Sequence, residues 1–237
     1  MTKKKSFQLT LTALAAGAAA AVLRYFLYAA AVDDRGLLIK GHPLEIAGWA
    51  LLAALLGALY FLTNGLSKTR LQVPVGPVPG AGSILLALGL AAAALHADPR
   101  FSLMKIAGMI AWLAAACMIF SGISRFQKKR PFFLLMVVPC IFFILYLVGL
   151  YQVLRGIPQI GDCLPAVGAA VSMLMLSYHQ AAMDLHSSNV RSQVFYSGLT
   201  VFFCLTCLAE GRNPVFYACG AGWAGLNLLT LREERKD

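Results

Sequence analysis

The chain has 237 residues, of which 59% are hydrophobic and only 13% are charged, and its formal net charge is +10. A water-soluble domain is about 45–50% apolar and about 25% charged, so this composition excludes an ordinary soluble globule. The basic residues stand in short groups between long apolar runs, and membrane topology explains that spacing without a nucleic-acid partner. We therefore predict a single polytopic transmembrane domain over residues 1–237, with no soluble domain and with the lipid bilayer as its surroundings.

Eight apolar segments are candidates for helices that cross a bilayer, which takes about 20 residues each. The first segment begins like a signal peptide, but its apolar run is longer than the roughly 7–15 residues of such a leader, so we predict an uncleaved first helix. The fold class is an all-α integral membrane bundle of eight transmembrane helices, with seven as the alternative. The predicted segments are Leu9–Val32, Leu44–Thr63, Ala81–Leu95, Met104–Gly122, Phe132–Tyr151, Leu164–Leu185, Val194–Ala209 and Val215–Leu231.

The basic segment Ser124–Pro131, SRFQKKRP, carries four positive charges and no negative one. Such a segment stays on the cytoplasmic side and orients the helices around it. With this segment and the N-terminus inside, the inner segments hold thirteen Lys and Arg residues and the outer segments hold five. The bias predicts a multi-pass plasma-membrane protein with both termini cytoplasmic. A seven-helix chain would place its basic C-terminus outside, against this bias.

The loop between the second and third helices and the fifth helix each have an unusual composition. Prolines in the inner loop Asn64–Gly80 favour an extended connector, and a docking segment for a cytoplasmic protein partner is the alternative. The fifth helix carries bulky aromatic side chains, which we expect to face lipid. These aromatic residues are Phe132, Phe133, Phe142, Phe143, Tyr146 and Tyr151.

Arg24 is the most conspicuous polar residue, because it lies inside the apolar run of the first helix. An arginine at that depth costs about 2–3 kcal/mol unless it reaches the interface or finds a partner. Glu45 at the outer start of the second helix and Glu210 at the outer end of the seventh are candidate partners. The alternatives are a structural ion pair or an anion-binding charge in an outward-facing cavity.

The inner end of the sixth helix is the most polar helix end in the chain. His179, Gln180 and Asp184 lie there, and ionisable groups in membrane helices usually face the bundle interior or a wet cavity. We expect this end to face inward, with Asn227 of the eighth helix as a candidate partner for His179. Two histidines and a methionine at helical spacing do not by themselves form a metal site, so we predict no metal.

No catalytic or cofactor motif emerges from the sequence, which contains neither an HExxH nor a Walker motif. Cys204-x-x-Cys207 lies in an apolar run, which favours packing over redox chemistry. We predict no catalytic residue and no cofactor. The favoured function is a small-solute permease or the membrane component of a transporter. The alternatives are a membrane sensor or assembly subunit that acts through a protein partner, and a small intramembrane enzyme.

Overall fold

The computed structural model describes residues 3–31, 41–64, 75–97, 101–154, 163–185, 187, 189–211 and 213–231, and its regular structure in these ranges is entirely helical. The predicted all-α fold with eight helices is confirmed for this part of the chain. By length and composition, five of the helices can cross a membrane, namely α1 to α5. The helices are α1 Lys3–Ala30, α2 Pro43–Thr63, α3 Pro77–Leu95, α4 Ser102–Phe126, α5 Leu134–Leu154, α6 Leu164–Asp184, α7 Val190–Leu208 and α8 Pro214–Thr230.

Proline begins several of these helices, and α3 starts four residues earlier than the sequence predicts. Pro77 and Pro79 lie in the first turn of α3, so the expected extended path of Asn64–Gly80 is wrong over its last four residues. The first N–H groups of a helix have no partner within the helix, and a proline there loses no hydrogen bond. Residues 65–74 of that segment lie outside the described residues.

Helix α4 extends about one turn beyond its predicted end, to Phe126, so Arg125 belongs to the helix. The helix stops where Lys128 adopts the left-handed backbone conformation, with φ 56°, a common way to end a helix. As a result, one of the four charges of the basic segment is carried on a helix rather than in a loop.

Six of the helices form a ring. Helix α3 packs on α4, α4 on α5, α5 on α6, α6 on α7, α7 on α8, and α8 closes the ring against α3. Helix α1 packs outside this ring on α7 and α8, and α2 packs on α1 and α7. We refer to α3–α8 as the six-helix ring.

Sequential helices in the ring run antiparallel, which gives the bundle two ends. At the Glu210 end, α3, α5 and α7 finish and α4, α6 and α8 begin. At the Asp184 end the directions are reversed, and the start of α1 joins α8 there, where the Ser6 hydroxyl donates to the carbonyl of Leu228. The two ion pairs described below lie one at each end.

The crossing of α3 and α4 depends on glycine. A Cβ added at Gly122 would lie 3.1 Å from the carbonyl oxygen of Gly80 and 3.0 Å from Cγ1 of Ile84. Backbone atoms cannot move aside as a flexible side chain can, so the two helices approach this closely only without a side chain at Gly122. Close approach through small residues is the usual source of helix association in lipid.

We expect Gly122→Ala to lower the free energy of unfolding by about 1–3 kcal/mol, because the new methyl group overpacks the crossing. Gly57→Ala in α2 is the matched control, since a Cβ there meets no atom within 4 Å, and we expect it to be neutral or stabilising by up to about 1 kcal/mol. Thermal unfolding of the two purified variants in one detergent measures the difference. Equal melting temperatures would contradict the close packing of α3 and α4.

Candidate functional site

A cavity of about 290 Å³ lies inside the Glu210 end of the six-helix ring. All six ring helices, or the residues that cap them, contribute to its lining. On α5 the lining extends to Phe142, twelve residues from the end of the helix, which corresponds to a depth of roughly 18 Å. The lining residues are Ala93, His96, Ala97, Met104, Ala107, Gly108, Phe142, Tyr146, Leu150, Val153, Cys163, Ala166, Glu210, Asn213 and Tyr217.

Aromatic rings form the floor of this cavity. Phe142 stacks on Tyr146 with ring centroids 5.6 Å apart, and the hydroxyls of Tyr146 and Tyr217 lie 3.4 Å apart. Phe143 and Phe216 pack behind these rings. We refer to Phe142, Tyr146 and Tyr217 as the aromatic floor.

The aromatic floor corrects the expectation that the aromatic face of the fifth helix meets lipid. Phe142 and Phe143 are buried, whereas Phe132 and Tyr151 near the helix ends are exposed. Hydrophobicity alone does not distinguish an aromatic residue facing lipid from one facing a cavity, since the helix is apolar on all sides.

Arg24 lies beside Glu210 at the rim of the cavity, with Nη2 3.3 Å from Oε1 of the carboxylate. The same nitrogen donates to the hydroxyl of Tyr28 at 3.1 Å, and the guanidinium also lies over the Tyr28 ring. Glu210 lines the 290 Å³ cavity, whereas Arg24 lines a separate one. The pair therefore forms part of the wall between the two cavities.

The second cavity, of about 70 Å³, lies between α1, α2, the start of α6 and α7. Glu45, the other candidate partner of Arg24, lines this cavity and accepts a hydrogen bond from the backbone N–H of Gly41 at 3.0 Å. Its carboxylate thus lies at the start of α2, where a negative charge stabilises the helix. With Glu45 in the same cavity and Glu210 beside it, Arg24 does not present the unmatched positive charge that an anion site requires.

An ion pair buried to zero exposure lies at the Asp184 end. Nη2 of Arg125 is 3.2 Å from both carboxylate oxygens of Asp184, and neither side chain is exposed. The pair connects α4 to α6, which are second neighbours in the ring because α5 packs between them. The sequence alone counts Arg125 among the cytoplasmic charges and does not identify it as the partner of Asp184.

Further polar side chains lie within two turns of this end. Gln180 is buried, and its side-chain oxygen accepts a weak hydrogen bond from Gln193 of α7 at 3.5 Å. Asn227 is also buried, and its side-chain nitrogen has no hydrogen-bond partner among the described residues, as is true of the hydroxyls of Ser121 and Ser197. Unsatisfied buried polar groups are uncommon and usually mark a place for water or a ligand. We use the name polar layer for the Arg125–Asp184 pair together with Ser121, Gln180, Gln193, Ser197 and Asn227.

His179 is placed differently from the expectation. Its ring stacks on Tyr196 of α7, with centroids 5.2 Å apart and an angle of 20° between the planes, and it is half-buried. The expected partnership with Asn227 is wrong, because His179 faces α7 while Asn227 lies on α8. His186, the other histidine on this helix end, lies outside the described residues.

Within the described ranges, no group of three or more His, Cys, Asp or Glu side chains is placed to hold a metal ion. Cys204 and Cys207 are fully buried free cysteines. Their positions in the core of the bundle are those of small apolar packing residues.

No family model matches this chain, and no curated protein or solved structure matches it either.

We expect Arg125→Leu to lower the free energy of unfolding by about 3–5 kcal/mol, because it leaves the carboxylate of Asp184 buried without its partner. Changing Asp184 to Leu as well should restore much of the lost stability, since no buried charge then remains. Lys129→Leu is the control, because Lys129 belongs to the same basic segment but is exposed. Unfolding of these three variants and of Asp184→Leu alone in detergent measures the coupling, and simple additivity of the two single changes would rule out the pair as a stabilising unit.

Proposed function

We propose that this chain is a multi-pass plasma-membrane permease, or the membrane component of a transporter, whose six-helix ring is the pathway of a small solute. The observation that carries the proposal is the 290 Å³ cavity, because residues of five ring helices line it together with Glu210, which lies just beyond α7. Cavities between the helices of a bundle are a common place for ligands. Its size suits a solute smaller than a typical drug.

The proposal includes eight membrane spans, three more than length and composition support on their own. Helix α8 has 17 residues, and α6 and α7 carry several polar side chains, among them Gln180 and Gln193. Polar residues lower the mean hydropathy of a helix wherever they point. Gln180 and Gln193, however, are buried inside the bundle, so they do not meet lipid. Helices α6, α7 and α8 pack antiparallel to neighbours of similar length. We therefore propose that all eight helices cross the same bilayer.

A transport pathway also needs a closed section that can open. In the middle of the bundle, the fully buried side chains of Met118, Met173 and Trp223 fill the core. Beyond them the polar layer offers unsatisfied donors and acceptors on several helices. We propose that this layer is the second mouth of the pathway, closed by the Arg125–Asp184 pair between α4 and α6.

The orientation is tested by single cysteines in a cysteine-free background. A cysteine at position 36 in place of glycine should react with a membrane-impermeant thiol reagent in intact cells, because the charge bias places that loop outside. A cysteine in place of Gln127, next to the basic segment, should react only after the cells are opened. The reverse pattern would invert the topology.

The pathway is tested by two cysteines on one face of α4. Ala107 and Ala114 are both buried and lie seven residues, or about two turns, apart, but only Ala107 lines the cavity. We expect Ala107→Cys to react with an impermeant maleimide from the outside, and Ala114→Cys to remain unreactive. Equal reactivity of the two cysteines, or none at Ala107→Cys, would contradict a water-filled entrance.

The second mouth is tested from the other side of the membrane. Ser197→Cys lies in the polar layer, and in inverted vesicles we expect it to react slowly, at the rate at which the Asp184 end opens. Separating the ion pair with Arg125→Gln should speed this reaction. If Ser197→Cys is unreactive from both sides in both backgrounds, the ring is a binding chamber with one entrance and the transport proposal fails.

A further inference from the structure

We infer that the 290 Å³ cavity binds a small organic cation with a substituted ammonium group. This inference rests on the proposed function for the existence of a solute site, and it adds the chemical class of the solute. Four features of the lining carry it: the sign of its charge, the aromatic floor, the remaining hydrogen-bonding groups and the scarcity of oxygen ligands.

The charged side chain in the described lining is negative. Glu210 lines the cavity, and none of the described lining residues is Lys or Arg. Its partner Arg24 belongs to the lining of the other cavity, so a solute meets the carboxylate first and the guanidinium behind it. A dipole in this orientation attracts a cation more weakly than a bare carboxylate does, but it still repels an anion.

The aromatic floor adds a second attraction for a cation. Phe142, Tyr146 and Tyr217 all line the cavity, and the face of an aromatic ring attracts an ammonium group, most strongly where water is excluded. Sites for quaternary ammonium ligands are commonly built from several such rings. The rings also provide apolar surface for the alkyl groups of a substituted ammonium.

The lining also has polar groups that can hydrogen-bond to an uncharged part of the solute. Nδ1 of His96 lies 2.8 Å from the carbonyl of Ala92, so in the neutral ring this nitrogen donates and Nε2 remains an acceptor. The side-chain oxygen of Asn213 accepts from the N–H of Phe216, which leaves its NH₂ group as a donor. The cavity can therefore also hold a hydroxyl or carbonyl elsewhere on the cation.

An inorganic cation fits the cavity poorly. Hard ions such as Ca²⁺ take six to eight oxygen ligands, and Mg²⁺ takes six. Most of the described lining is alanine, glycine, aliphatic or aromatic, with one carboxylate. An organic cation is bound through its shape and alkyl surface, and the lining offers both.

The test uses choline and its neutral isostere 3,3-dimethyl-1-butanol, in which carbon replaces the nitrogen, with the purified full-length chain in detergent. We expect choline to bind saturably in titration calorimetry. The isostere should bind at least about tenfold more weakly, which corresponds to a difference in binding free energy of at least about 1.4 kcal/mol. Equal binding of the two probes, or no saturable choline binding, would overturn the inference.

Two variants of the Arg24–Glu210 pair distinguish an effect of charge from a loss of folded structure, because they should change the choline affinity in opposite directions. Glu210→Gln removes the negative charge and should weaken choline binding about tenfold. Arg24→Gln removes a neutralising partner of Glu210 and should tighten choline binding by about threefold, provided the variant remains folded. Binding of the isostere should not change in either variant. Weaker choline binding in both variants would assign the pair a purely structural role and remove the charge argument.

The aromatic floor has its own matched variants, which do not alter the ion pair. Tyr146→Leu should weaken choline binding severalfold, and Tyr146→Phe, which keeps the ring, should not. If the two variants bind choline equally, the cation–π contribution at Tyr146 is absent and the inference fails.

Reaction rates at Ala107→Cys give an independent readout. After correction for reaction with free cysteine, a trimethylammonium methanethiosulfonate should react faster than its sulfonate counterpart, and Glu210→Gln should reduce the ratio. If both reagents react at one rate and choline does not bind, the pathway stands and the solute class is wrong. If the cysteine reacts with neither reagent, the proposed function itself fails.

Discussion

The fold depends on the need to pair charges that an apolar bundle buries. An isolated buried charge costs several kcal/mol, so each must have a partner close by. Arg24 meets this need with Glu210 at one end of the bundle, and Arg125 meets it with Asp184 at the other. The first pair joins the outer helix α1 to the end of α7, and the second joins α4 to α6 across the position of α5. The two pairs disfavour any lateral arrangement of the helices that separates the partners, because such an arrangement leaves a buried charge alone.

The distribution of side-chain size explains the cavity at the Glu210 end of the ring. Small residues from α3, α4 and α6 line the Glu210 end, among them Ala93, Ala107 and Ala166. Nearer the Asp184 end, the buried side chains include Met118 and Trp223, which fill the space between the same helices. Small residues usually bring helices together in lipid, as Gly122 does at the crossing of α3 and α4. Where the aromatic floor holds the helices apart, the same kind of residue leaves open space instead.

The sequence predicts the helices well, because a run of apolar residues must form a helix if it enters lipid. It also identifies Arg24 and Glu210, since charges stand out against an apolar run. It does not predict the neighbours of a helix, because hydropathy reports depth and not lateral position. For that reason the partner of Asp184, the stacking of His179 on Tyr196 and the inward face of α5 all emerge only from the structure. Arg125 also escapes notice in the sequence because it belongs to the basic segment. The charges of such a segment are expected in a cytoplasmic loop, so nothing indicates that this one is buried.

The position of Arg24 outside the six-helix ring links the periphery of the bundle to its interior. Glu210 contributes the charge that the described lining presents to the cavity, and its partner lies on α1, which is not a ring helix. The strength of that charge therefore depends on the packing of α1 against α7, where Gly17 lets the side chain of Leu205 and the backbone of Phe202 approach closely. Any rearrangement that moved the guanidinium away would expose a fuller negative charge to the cavity, since the attraction between two charges falls with distance and rises with burial. A helix that contributes no residue to the described lining of the cavity thus influences its electrostatic character.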